Sequence, residues 1–175
     1  RLLGFPTETV YGLGADAGNV EAVMAIYAAK GRPTDHPLIV HIVDATDAHH
    51  FAEPIPDFAL RLMKAHWPGP LTLILPRREG VARASAAGQA SIGLRCPSHP
   101  VAQALLRAAR ELGVHGVSGP SANRFGRVSP TRSEHVVSEF GAQLDVLDGG
   151  PCQVGIESTI IDCTRGHPVL LRPGM

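Results

Sequence analysis

Cysteine, lysine and net charge are all scarce in this 175-residue chain, and each shortage removes a class of protein. The three cysteines, Cys96, Cys152 and Cys163, are odd in number and lack CxxC spacing. A disulfide framework is therefore not expected, and a reducing cytoplasm is the default compartment. No apolar run approaches the ~20 residues a bilayer-spanning helix needs. No signal-peptide pattern opens the chain, which starts at Arg1 and reads as cut there. Basic and acidic residues balance at 16 each, which argues against a broad electrostatic surface for nucleic acid. A phosphate loop of the form GxxxxGK followed by Ser or Thr is absent, and none of the nine histidines has HExxH or comparable spacing. A metal held by the protein itself is therefore not expected.

What is present describes one ordinary globular domain, 44% apolar and 18% charged, without internal repeats. Fourteen of the sixteen basic residues are Arg, whose planar fork suits carboxylate and phosphate, although a genome biased toward Arg codons gives the same excess. Arg1 to Phe5 reads as the end of a strand turning at Pro6. Asn19 caps a helix to about Lys30, with Val20, Val23, Met24 and Tyr27 on one face. A strand spans Leu38–Val43, and a helix from Pro56 to His66 buries Phe58, Leu62 and Met63. Leu71–Leu75 and Ser91–Arg95 are strands, and Val81–Gln89 between them is a small-residue, mobile loop. His99–Leu112 is a helix ended by Gly113. Thr131 and Glu134 have capping-box spacing for a helix to Phe140. Strands around Leu144–Leu147, Val154–Asp162 and Val169–Leu171 complete the chain. The pattern predicts an α/β domain with a twisted mixed sheet and flanking helices over residues 1–175.

Polar, Gly- and Pro-rich segments follow the strands, where an open α/β fold binds ligands at its strand ends. Pro6–Gly14 (PTETVYGLG) sets two Thr hydroxyls and a carboxylate after a strand. It reads either as a binding loop or as a turn whose hydroxyls satisfy local backbone. Lys30-Gly31-Arg32-Pro33 brings two cations close together in a stiff loop, suited to polyphosphate. Against that, Lys30 complements a helix dipole and Asp35 can pair Arg32. Ser118–Asn123, continuing to Ser129 and Thr131, offers hydroxyls, an amide and a helix N-terminus as a phosphate cradle, or ordinary cap chemistry. Glu157-Ser158-Thr159 puts polar groups where a core strand would not want them. Arg95 and Arg172 each end an apolar strand and need an anionic partner.

In order, PTETVYGLG, KGRPTDHPLIVHI, WPGPLTLIL, GLRCPSHP, PSANRFGRVSPT, GIESTIID and LLRPG resemble the signature segments of the YrdC-like threonylcarbamoyl-AMP synthase family, from Phe5 to Gly174. Against that pattern, the chain is expected to lack a helix and the start of the first strand ahead of Arg1, and the extra C-terminal domain of longer members. Phe125 stands where the family leads one to expect a small residue. The resemblance implies a YrdC-like fold and condensation of L-threonine, bicarbonate or CO2, and ATP into threonylcarbamoyl-AMP and pyrophosphate. A separate transferase complex would then modify tRNA, with at most weak tRNA binding by this chain and no membrane partner. It implies Lys30 and Arg32 as catalytic residues, and Lys30, Arg32, Ser121, Asn123, Ser129 and Arg172 on the ATP side. Thr7, His36, Arg95, Ser98 and Ser158 are implied for threonine, with Mg2+ carried on ATP. An RNA-binding module of the same fold and a carbamoyl-adenylate-forming relative are the alternatives.

Overall fold

Asn19 starts the first helix, α1 (Val20–Lys30), by accepting the Ala22 N–H at 2.9 Å, and Gly31 ends it with φ 64°. The computed structural model describes residues 1–175. Ahead of α1, β1 (Leu3–Pro6) and β2 (Tyr11–Asp16) form an antiparallel hairpin. After it come β3 (Ile39–His41), a short 3-10 turn at Ala45–Asp47, α2 (Ala48–Phe51) and α3 (Asp57–His66). Next are β4 (Leu71–Pro76), β5 (Ser91–Arg95), α4 (Pro100–Glu111), β6 (Val117–Ser118) and α5 (Ser133–Phe140). The chain closes with β7 (Asp145–Val146), β8 (Thr159–Asp162) and β9 (Val169–Arg172). The strands form one mixed sheet in the order β7-β1-β2-β6-β3-β5-β4-β8-β9. The expected α/β architecture is what the chain adopts, and no helix is long and apolar enough to cross a membrane.

Several local expectations need correction. Helix α1 buries Val23, Ile26, Tyr27 and Lys30, while Val20 and Met24 lie exposed at 63% and 42%. Apolar residues surround this helix, so periodicity could not choose its face. Helix α3 buries Ala59 and Met63, with Phe58 and Leu62 at the margin. No capping box forms ahead of α5, which begins after Arg132 without a side-chain cap. Thr131 instead accepts the Cys152 N–H through its carbonyl. Tyr11–Gly14 is strand rather than loop, because its glycines make room for an aromatic ring. A Cβ on Gly12 or Gly14 would stand 3.0 Å from the Phe5 side chain. The strand expected from Val154 shrinks to β8, since Val154 and Gly155 donate to the Glu8 and Thr9 carbonyls. The segment Val81–Gln89 is anchored at its middle, where Ser85 and Ala86 are buried, while Arg83, Gly88 and Gln89 are exposed. Ser85 is fully buried, its hydroxyl donating to the Ala17 carbonyl at 3.2 Å and sharing a bond with Ser118 at 2.7 Å.

Alternation along the central strands explains where the site lies. Val40, Leu71, Leu73, Leu75, Ile92 and Leu94 face one way and pack on Phe51, Ala59 and Met63 of α2 and α3. Each such burial contributes roughly 1.5–3 kcal/mol. Helix α1 seals Tyr11, Leu13 and Ala15 of β2, and α4 packs Ala102 and Leu106 against Phe5. The opposite phase (Ile39 and His41, Ser91, Gly93 and Arg95, Ile74, Ile160 and Asp162) floors a cavity.

Candidate functional site

The cavity has a volume of about 470 Å3, within the ~300–1,000 Å3 typical of small-molecule sites. Its floor is a sheet face, which corrects the expectation that the site lies only at strand ends. Polar loops rise around that floor, and no helix contributes a lining residue, so the N-terminus of α5 is not part of the cradle.

One wall is the β1–β2 turn, held from behind by a buried ion pair. Arg95 bonds Glu8 Oε1 through Nη2, Thr9 Oγ1 through Nη1 at 2.8 Å and the Gly69 carbonyl through Nε at 3.3 Å. Glu8 Oε2 accepts from the Ser98 N–H at 2.9 Å and the Ser98 hydroxyl at 2.7 Å. The Arg95 and Glu8 side chains are only 5% and 10% exposed. Burial lowers the Arg95 guanidinium from its ordinary range, and Glu8 opposes that. Thr7 closes the turn by donating to the Val10 carbonyl at 2.6 Å and accepting the Thr9 and Val10 N–H groups. The turn reading of this segment therefore holds, even though Thr7 also lines the cavity.

A second wall carries Arg32. Tyr27 donates its hydroxyl to the His36 carbonyl at 2.9 Å, pinning the 31–38 loop. Arg32 then donates to the His36 carbonyl at 3.3 Å through Nε and to the Pro37 carbonyl at 2.9 Å through Nη2. Burial lowers its guanidinium from the ordinary range as well.

Lys30 shapes the third wall from behind. It is 3% exposed and does not line the cavity, and its Nζ donates to the Ser121 and Asn123 carbonyls at 2.5 Å each. Burial, reinforced by the nearby Arg32 charge, lowers the ammonium to about 8. Asn123 is also behind the wall, 4% exposed, with Nδ2 donating to the Arg124 and Arg127 carbonyls at 2.8 Å each. Its Oδ1 has no partner. Ser121, at an isolated bridge to Gly12, faces the cavity.

The fourth wall joins β8 and β9. Arg172 donates to Glu157 Oε2 at 2.7 Å, to the Ser158 carbonyl at 3.0 Å and to the Ser158 hydroxyl at 3.3 Å. The Ser158 hydroxyl also meets Thr72 Oγ1 at 2.8 Å. Ser129, just outside the lining, donates to Glu157 Oε1 at 2.8 Å. On the floor, Asp162 is engaged by Thr164 and Arg165. His41 is 3% exposed with an unpartnered Nδ1, and burial, with Arg95 adding to it, lowers its imidazole to about 3. The imidazole on the floor is therefore neutral, and positive charge is left to the arginines, Arg95 on the floor and Arg32 and Arg172 on the walls.

Among the residues marked by resemblance, Thr7, Arg32, Arg95, Ser121, Ser158 and Arg172 line this one cavity. Lys30, Asn123 and Ser129 stand behind or beside it. His36 is outside, its side chain 47% exposed and its ring edge-on to Phe125 at 5.4 Å. Phe125 is likewise outside the lining, so it does not narrow the cavity. Ser98 is spent on Glu8. Sequence reasoning missed His41 and Thr72 as parts of the site, and it marked Glu8 and Thr9 only as members of the Pro6–Gly14 segment. The polar members of Leu71-Thr72-Leu73-Ile74 and Val40-His41-Ile42 were the available signal, since each falls in the phase opposite to the core.

Residues 1–174 match the family model Sua5/YciO/YrdC, described as telomere recombination. A threonylcarbamoyl-AMP synthase of Bacillus subtilis is 48% identical over 176 residues, covering 99% of this chain and 50% of the relative. The solved structure of Pyrococcus abyssi Sua5 complexed with L-threonine is 46% identical with a TM-score of 0.93, again covering 99% of this chain and 50% of that one. Escherichia coli YciO is 28% identical with a TM-score of 0.85, covering 99% and 83%. This chain thus spans about half the length of the curated relatives it matches first.

Proposed function

This chain belongs to the Sua5/YciO/YrdC family, and from that premise we propose that its sheet-face cavity joins L-threonine, bicarbonate or CO2, and ATP into threonylcarbamoyl-AMP, releasing pyrophosphate. The observation that carries the reading is the meeting of Arg32, Ser121, Ser158, Arg172 and the Arg95-braced turn around one floor. Support also comes from relatives named for this activity and from the threonine complex of the Pyrococcus relative.

In this proposal threonine's amine adds to the carbon of CO2 and loses a proton, giving a carbamate. A carbamate oxygen then attacks the α-phosphorus, and the bond to the pyrophosphate oxygen breaks. No covalent enzyme intermediate is needed, so the protein's task is positioning and charge stabilisation. Arg32, Ser121, Arg172 and Ser129 would bind the nucleotide side, with Arg32 the direct phosphate contact. Lys30 and Asn123 would hold the 121–127 loop from behind, setting Ser121 at the nucleotide. Threonine would lie toward Thr7, Ser158 and Arg95, with His36 and Ser98 at greater remove. Since Glu8 already neutralises Arg95, that guanidinium would brace the turn beside threonine rather than pair its carboxylate. Mg2+ would supply charge neutralisation on the phosphates. The cavity carboxylates Glu157 and Asp162 are already engaged, which fits a metal held by ATP. The product would pass to a tRNA-modifying transferase complex, and a cytoplasmic setting is consistent with these substrates.

Pyrophosphate release from ATP and bicarbonate, with and without L-threonine, tests the reaction. Release that requires threonine supports it. Threonine-independent release that requires carbamoyl phosphate would replace it with carbamoyl-adenylate chemistry.

A further inference from the structure

Two Glu–Arg pairs border the cavity, and they differ in kind. Glu8–Arg95 is sealed, with side chains 10% and 5% exposed, and both carboxylate oxygens are engaged. Glu157–Arg172 is open to the cavity, with side chains 40% and 37% exposed. A half-hydrated pair of that sort is weak, whereas breaking a buried one strands a charge. Glu157 nonetheless holds the two groups that a phosphate would use, the Ser129 hydroxyl at 2.8 Å and Arg172 Nη1 at 2.7 Å. Its negative charge also acts on Lys30 and Arg32 across the cavity. Carboxylate and phosphate oxygens accept hydrogen bonds from the same donors in the same way.

The backbone beneath Glu157 is packed against the chain's last residues, whereas its side chain is 40% exposed. A Cβ on Gly174 would stand 2.5 Å from the Glu157 carbonyl oxygen, so the C-terminal segment clamps this stretch of chain. The carboxylate can turn away without moving the wall.

We propose that Glu157 is a built-in anion that fills the Ser129–Arg172 subsite of the cavity and is exchanged for phosphate oxygens when ATP enters. The proposal rests on the reading of Ser129 and Arg172 as ATP contacts. Glu157 thereby keeps the donors oriented between turnovers and tells ligands apart. A polyphosphate displaces it, and a weaker anion does not.

Calorimetric titration of ATP and of inorganic tripolyphosphate, both in EDTA, tests the exchange. Glu157→Gln keeps the shape and an acceptor for Ser129 but removes the competing charge. It is expected to bind both probes roughly fivefold more tightly than wild type, about 1 kcal/mol for a partly exposed pair. In an Arg172→Ala background the same substitution should change affinity by less than about twofold, because a merely general relief of negative charge would persist there. Equal or weaker binding by Glu157→Gln, or an undiminished gain without Arg172, overturns the exchange alone. Absence of ATP and tripolyphosphate binding to the wild-type chain at millimolar concentration overturns the ATP reading along with it.

Discussion

Acid should unfold this protein through His41. The ring lies on the cavity floor, 3% exposed, edge-on to Phe5 at 5.5 Å and under the influence of the Arg95 charge. Its imidazole is lowered from 6.5 to about 3, chiefly by burial. Below pH 6.5 the unfolded chain therefore takes up a proton that the folded chain refuses until about pH 3. The stability tied to a neutral His41 is complete above pH 6.5 and drains as pH falls toward 3. Between pH 8 and pH 5 the linkage amounts to about 1.5 pH units, or roughly 2 kcal/mol. Urea unfolding of wild type and His41→Leu at those two pH values isolates the effect, since the other histidines contribute equally to both proteins. Wild type should lose about 2 kcal/mol more than the variant over the interval. Parallel losses would refute the claim of a neutral, desolvated floor, and with it the assignment of anion recognition to the arginines alone.

The remaining expectations concern the walls. Arg32→Ala should abolish adenylate formation in the pyrophosphate assay, with stability changed by only ~0.5 kcal/mol because its bonds are to loop carbonyls near solvent. Asn123→Ala should also abolish it but cost ~1–2 kcal/mol in urea unfolding, since the side chain is 4% exposed and ties down two carbonyls. Glu8→Ala should destabilise by ~3–5 kcal/mol by stranding the Arg95 charge, and adding Arg95→Met should restore part of that loss in the same measurement. Gly174→Ala should cost ~1–3 kcal/mol and raise the KM for ATP. Its Cβ would meet backbone at 2.5 and 2.6 Å, pushing the Glu157–Thr159 wall inward.

The α/β class, the mixed sheet and most helix positions were legible because apolar periodicity, Asn19, Gly31 and Gly113 each signal locally. The hairpin strand Tyr11–Asp16 was not, because its glycines serve a contact with Phe5 that only the fold creates. Binding groups were legible as polar segments out of place between strands. Their division into cavity-facing and supporting residues was not. Lys30 and Arg32 are two residues apart, yet one staples a loop from behind and the other faces the cavity. Ser98 read as a substrate contact because nothing in its neighbourhood reveals that Glu8, 90 residues earlier, takes both its donors. The floor itself stayed hidden for a physical reason. A strand's two phases look alike when the open one is made of Ile39, Gly93, Ile74 and Ile160.

That floor offers the most direct test of the account. Gly93 sits at its centre, where an added Cβ would meet only the flexible tip of Ile74 at 3.2 Å and lighter contacts with Ile39 and Thr72 at 3.6 Å. Gly93→Val should therefore keep the fold, its melting temperature within a few degrees of wild type, while filling the space over the sheet. Calorimetric titration with ATP and with L-threonine should show both ligands weakened more than tenfold, about 1.4 kcal/mol or more each. Wild-type affinity for both, in a protein with a valine standing in the cavity, would mean that the ligands meet somewhere else.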